Sequence, residues 1–240
     1  MDKMLIPPSV LSVILKGKTG FTAVIGVGPK KIVGKALPVS RICDRLKYHP
    51  QARSPLKFSK VAVIHNGKIL TSELKMEPIE PMKGFEDPFI FEMPEFLEIN
   101  NGDSDVKVKM ADQKYGRGRL ILKTSTVPFG HGGKRIELNC VDIMSEIGVI
   151  ASYNMQQIGW LRYFPQAQYI YGECTCPILE DPDYDCVQND REKLVENEKS
   201  SALLQWITKK IDEVAEKIAE KEMEQEEEKK IKKTDEFNQI

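Results

Sequence analysis

The chain has 240 residues, 41% hydrophobic and 30% charged, with five cysteines, sixteen glycines and fourteen prolines. That composition predicts one or two globular domains and sets aside collagen-like and disulfide-scaffold classes. The apolar run Leu5 to Leu15 is about half the length a bilayer needs, contains Pro7 and Pro8 and lacks a small-residue cleavage site, so neither a membrane span nor a secretory signal is expected. Cys43, Cys140, Cys174, Cys176 and Cys186 are an odd set, which fits a reducing compartment and a cytoplasmic location.

The net charge of -1 conceals an asymmetry. Residues 1–60 hold twelve Lys or Arg against Asp2 and Asp44, giving +10 there and -11 over the rest. Between Lys16 and Lys60 the only acid is Asp44. This segment either presents a positive face to phosphate, nucleic acid or an acidic partner, or lies against the acidic remainder of its own chain.

In chain order, Phe21 to Val27 and Lys31 to Val33 read as short strands around glycines, followed by an amphipathic helix over 39–48 with Val39, Ile42, Cys43 and Leu46 on one stripe. Val61 to His65 and Lys68 to Leu70 flank Asn66-Gly67, a dipeptide suited to a two-residue turn, and predict a β-hairpin. Pro78, Pro81, Pro88 and Pro94 then forbid a long helix or a central strand, leaving loops and edge segments. Val106 to Met110, Leu120 to Leu122, Arg135 to Leu138, Ile147 to Tyr153 and Gln168 to Cys174 read as strands of a sheet with one buried face. After Pro182 there is no further proline or glycine, and Leu203, Leu204, Ile207, Ile211, Val214, Ala215 and Ile218 recur at helical spacing. A helix is therefore expected from about 190, grading beyond Ile218 into a charged tail. The fold class that results is α+β, mainly antiparallel sheet with a short helix near 39–48 and a long C-terminal helix. No internal repeat is present.

Three motifs carry little chemistry. Gly26 to Lys35 has five residues between Gly28 and Gly34 where a phosphate-binding loop takes four, and Ala36 where it needs a hydroxyl, so it reads as a turn. Gly130-His131-Gly132-Gly133-Lys134-Arg135 suits a flexible connection better than an anion nest, and His131 has no assignable nucleophile. Cys174-Thr-Cys176 with Cys186 supplies three thiols where zinc takes four ligands, and reads as buried structural cysteine.

The most informative stretch runs from Cys176 to Asn197. Asn189 followed three residues later by Glu192 is a helix-start signature. Arg191 then falls in the first turn, where a cation opposes the helix dipole unless an anion binds there. Backbone N–H groups and a guanidinium fork converging on one point make a phosphate site. The plainer reading is a surface arginine paired with neighbouring acids.

This segment resembles the end of the second domain of the GHKL ATPases, the superfamily of gyrase, the 90-kDa heat-shock chaperones, histidine kinases and MutL, and is most similar to the chaperone middle domain. There, a strand and an acidic loop lead to an Asn-x-Ser-Arg-Glu-x-Leu motif opening a helix. This chain has Asn189-Asp190-Arg191-Glu192-Lys193-Leu194, one residue shorter between Asn and Arg. The resemblance spans about 40 residues, from Tyr169 to about Trp206, with looser agreement back to the strands near Ile147. It implies that Arg191 reaches the γ-phosphate of ATP held in a preceding domain, as the equivalent lysine does in the MutL and MORC branches, with Lys193 and Asn189 as neighbouring contacts. The family's Glu-x-x-x-Asn-x-x-Asp helix and Asp-x-Gly-x-Gly loop are missing, so ATP and magnesium would be held by a separate GHKL ATP-binding domain or subunit. ATPase activity would exist only with that partner. The domain organisation expected on this basis is a basic segment 1–60, a transducer-like domain 61–221 and a charged tail 222–240. The alternative is a non-enzymatic module that binds nucleic acid through residues 16–60 or protein through the C-terminal helix, including a second copy of itself. A stand-alone hydrolase built on His131 ranks well below both.

Overall fold

The computed structural model describes residues 38–50, 60–66, 68–100, 105–130, 135–145, 148–155, 165–183, 186–188 and 192–237, with isolated positions at 8, 12, 53 and 56. The chain divides into two compact units, Met1–Pro78 and Ile79–Ile240. The predicted strands at 21–27 and 31–33 lie outside the described residues.

In the first unit, helix α1 spans Val39–Tyr48, as its apolar spacing predicts. It starts after Pro38, whose ring has no N–H to leave unpaired, and its last turn carries Arg45 and Lys47 near the carbonyl end of the dipole. The expected stripe is only half covered: Val39, Cys43 and Leu46 are part-buried and Ile42 is 42% exposed. Arg53 is buried and donates from Nη1 to the Tyr48 carbonyl at 3.0 Å. Strands β1 (Val63–His65) and β2 (Lys68–Thr71) form the expected antiparallel hairpin. Asn66 takes φ +50° at the turn, the left-handed region that asparagine tolerates best after glycine.

The second unit is a mixed five-stranded sheet with a two-stranded ribbon and a long helix. Strand β3 (Phe89–Glu92) is bounded by Pro88 and Pro94 and takes an edge, where proline-flanked segments belong. Strands β4 (Phe96–Asn100) and β5 (Asp105–Lys109) pair as the ribbon. Strands β6 (Arg119–Thr124), β7 (Cys140–Ser145), β8 (Gly148–Asn154) and β9 (Ile170–Thr175) complete the sheet in the order β3-β6-β9-β7-β8. All pairs are antiparallel except β7 with β9. At the β6–β9 contact Gly172 is required, because a Cβ there would lie 2.3 Å from the Ile121 carbonyl oxygen.

One expected strand is a different element. Residues Ile136–Leu138 form a short 3-10 turn. Asn154 Nδ2 donates to the Ile136 carbonyl at 3.0 Å, and buried Asn139 donates to the carbonyls of Ala167 and Ile170 at 2.9 and 2.8 Å. These side-chain bonds bend the backbone away from a ladder.

Helix α2 spans Glu198–Phe237, 40 residues and therefore about 60 Å long. Leu203, Ile207, Ile211, Val214 and Ile218 are each 0% exposed and share one buried cluster with Leu120, Leu122, Val141, Ile143, Leu97 and Ile99. Each such side chain contributes about 1.5–3 kcal/mol of burial, so this stripe holds helix, sheet and ribbon together. Along one edge of the helix, Lys221, Lys217 and Lys210 lie over the rings of Phe85, Phe89 and Phe91 at 4.6, 5.4 and 5.1 Å. From Met223 to Lys232 every side chain is exposed.

The helix begins eight residues after the expected start. Asn197 Oδ1 accepts the Ser200 N–H and Ser200 Oγ accepts the Asn197 N–H, both at 2.9 Å, which is a reciprocal capping box. Asn189 with Glu192 does not open it. The Glu192 carbonyl instead accepts the Ser152 N–H at 3.3 Å, and Leu194 bridges antiparallel to Val187. Leu194 is 3% exposed, and burying it in this bridge outweighs the local preference of 189–194 for helix.

Candidate functional site

Strand β9 delivers the chain to Cys176 and a 3-10 turn, Pro177–Glu180, with proline in its first turn, where a missing N–H has no consequence. Asp181 Oδ1 accepts the Asp183 N–H at 3.2 Å, an Asx turn that swings the chain back. Cys186 is then buried at 1% exposure and its carbonyl accepts the Val195 N–H at 2.9 Å. With the Val187–Leu194 bridge next to it, the stems on either side of residues 188–193 are closed against each other. Gln188 Nε2 adds a bond to the Leu194 carbonyl at 3.4 Å.

Three parts of the fold hold this base. The first is the edge strand β8, where Tyr153 Oη accepts the Leu194 N–H at 3.0 Å, beside the contact between Ser152 and Glu192. Tyr153 is 8% exposed, and burial pushes its hydroxyl above its ordinary range, so it stays protonated. The second is the helix cap, since Asn197 Nδ2 reaches Cys186 Sγ at 3.2 Å and Ser200 Oγ donates to the Val195 carbonyl at 2.7 Å. The third is Lys199, 7% exposed, whose ammonium donates to the Lys109 carbonyl at 3.0 Å and fixes the start of α2 on β5.

Of the residues singled out in the sequence, Lys193 is exposed on this loop, whereas Asn189, Asp190 and Arg191 lie outside the described residues. What the structure places is the frame around them. The cap of α2 follows Arg191 in the chain by six residues, and the N–H of Ser200 is occupied by Asn197, so the first turn of α2 begins at Glu198 and not in the 189–194 motif.

The remaining candidates are placed as follows. Gly26 to Lys35 and His131 to Lys134 lie outside the described residues. Gly130 is exposed with φ +86°. Cys174 and Cys176 are both 0% exposed. Burial pushes the Cys174 thiol well up and the Cys176 thiol to about 12, with Cys186 adding to the rise at Cys176 and Lys199 opposing it. Among the described residues no three His, Cys, Asp or Glu side chains gather in a way that could hold a metal ion. No helix among them is long and apolar enough to cross a membrane. Within the basic segment, Lys60 pairs with Glu73 at 3.9 Å.

Sequence reasoning missed Tyr153, Lys199 and the cap pair Asn197 and Ser200. The cap was legible, since an asparagine stands three residues before a serine directly ahead of the apolar run. Tyr153 was not, because its partner is 41 residues away. No family model, no curated protein and no solved structure matches this chain.

Proposed function

We propose that this chain is the transducer part of a GHKL-type ATP-binding protein and presents Arg191 to the γ-phosphate of ATP held by a separate ATP-binding domain. The observation that carries the reading is the closed loop base. Bonds from Cys186, Tyr153 and Ser152 fix the backbone on both sides of residues 189–191, next to an exposed Lys193. A phosphate-contacting arginine needs such a mount, because a side chain set in advance loses less entropy when it engages. The likeness of 189–194 to the GHKL motif supplies the chemical assignment.

In this reading ATP is the substrate, and magnesium enters with the partner domain. Arg191 neutralises charge on the transferring phosphoryl group, a contribution worth a factor of about 10³–10⁵ in arginine-finger systems. Lys193 supplies a second cation near the phosphates and Asn189 orients the loop. The contact joins the two domains while ATP is present and is lost after hydrolysis. Helix α2 starts three residues after Val195, which is bonded to Cys186, so a shift of the loop reaches the helix directly.

The test is ATP turnover of the chain mixed with its ATP-binding partner. Arg191→Ala is expected to lower turnover by at least about tenfold, with the fold intact by circular dichroism. Unchanged turnover rejects the role.

The second reading, a non-enzymatic binding module, is favoured by one observation: the distal part of α2 is exposed throughout from Met223 to Lys232, as expected of a helix that meets a partner. That reading predicts association that is indifferent to nucleotide and to Arg191. If residues 16–60 are the contact and the partner is nucleic acid, association weakens steeply with salt.

A further inference from the structure

A groove of about 460 Å³ opens between the turn at residues 82–86 and the distal part of α2. Its lining includes Lys83, Lys221, Lys229 and Lys232 with Glu86 and Glu228. Six of its eight lining residues carry a charge, the others being Gly84 and Gln225.

Its floor is built. The Phe85 N–H donates to the Met82 carbonyl at 2.9 Å, closing a turn in which Gly84 takes φ +84°. A Cβ on Gly84 would lie 1.4 Å from Lys221 Nζ, so the glycine leaves the space that the ammonium occupies. The same ammonium lies 4.6 Å from the centre of the Phe85 ring. Glu86 Oε1 accepts the Gly84 N–H at 2.7 Å. That bond holds the Glu86 carboxyl below its ordinary range, with help from Lys221 and Lys83. Lys221 and Glu86 therefore offset each other within the fold. Lys83, Lys229 and Lys232 remain against Glu228, an excess of two positive charges around one opening.

We infer that this groove binds a chain of linked phosphates. Lysine ammoniums act as point charges toward phosphate oxygens, and a ligand with several adjacent negative charges engages three of them at once. Of the groups on these walls, the lysine ammoniums are the ones suited to several adjacent negative charges, so recognition rests on the phosphates. The site is separate from the loop that carries Arg191 and is independent of the ATPase reading.

The experiment is calorimetric titration of the full chain with sodium tripolyphosphate at low salt, with an ATP arm lacking magnesium to tell a free phosphate chain from a nucleotide-borne one. Binding is expected, and Lys83→Gln combined with Lys229→Gln and Lys232→Gln should weaken it by about tenfold or more. Glu228→Gln should tighten it about two- to fivefold, a change of opposite sign that structural damage cannot produce. Arg191→Ala should leave it unchanged. Equal affinity for tripolyphosphate and ATP identifies the phosphate chain as the whole ligand, and tighter ATP binding assigns it to a nucleotide. No heat with either anion, a triple variant that binds like the wild type, or capture of a single-stranded oligonucleotide by a chain that ignores tripolyphosphate overturns the inference.

Discussion

Asp212 is the least comfortable side chain on α2, and replacing it gives a quantitative test of the packing. Its Oδ1 is shielded from water and has no hydrogen-bond partner. Burial, and then Glu216 one turn further on, push its carboxyl from an ordinary 3.8 up to about 6. A carboxyl whose folded-state pKa lies above its unfolded one binds protons more tightly in the folded state. Its favourable contribution is therefore complete below about pH 3.8 and is lost as pH rises through about 6. At face value a rise of that size corresponds to about 3 kcal/mol. The side chain is only part-buried, and solvent screening reduces this to about 1 kcal/mol. Asp212→Asn removes the ionisation with almost no change of shape. In urea unfolding the variant should match the wild type below about pH 4 and exceed it by about 1 kcal/mol at pH 7.5, with the difference growing between about pH 4 and pH 6 and levelling off above. A difference that does not vary with pH, or a variant less stable at pH 7.5, would show that the Asp212 carboxyl does not bind its proton more tightly in the folded chain.

Two further outcomes test the frame of the loop. Asn197→Ala removes one side of the capping box and the bond to Cys186 and should cost about 1 kcal/mol, with faster amide exchange over Glu198 to Ser201; unchanged exchange there would show that the cap does not hold the helix start. Tyr153→Phe leaves the Leu194 N–H without its acceptor and should cost about 1–2 kcal/mol while raising exchange at Leu194 well above that of the β7–β8 ladder, and equal protection at Leu194 in both proteins would count against the latch.

The elements that could be read from sequence are those whose causes are local. Helix α1 and the β1–β2 hairpin follow from apolar spacing and from Asn66 at a turn, and β3 takes an edge because prolines bracket it. The elements that could not be read depend on distant partners. Strand β7 carries Asp142 amid apolar residues and is buried along almost its whole length, so the alternation that marks a half-buried strand is absent. Strand β4 exists by pairing with β5, and the turn at Ile136–Leu138 follows from bonds made by Asn139 and Asn154. The same division applies at the site. The motif 189–194 stands out in the sequence, but residues 192–194 are not helical, because the bridge between Val187 and Leu194 and the hydroxyl of Tyr153 come from tertiary packing.

Under the proposal that Arg191 couples this chain to an ATP-loaded partner, association with that partner depends on nucleotide. Sedimentation of the chain with its ATP-binding partner should give a complex with a non-hydrolysable ATP analogue and none with ADP. Arg191→Ala should abolish the complex, while Lys193→Ala weakens it less. A complex equally stable with analogue, with ADP and with no nucleotide, or one indifferent to Arg191, would show that Arg191 does not engage the nucleotide's terminal phosphate.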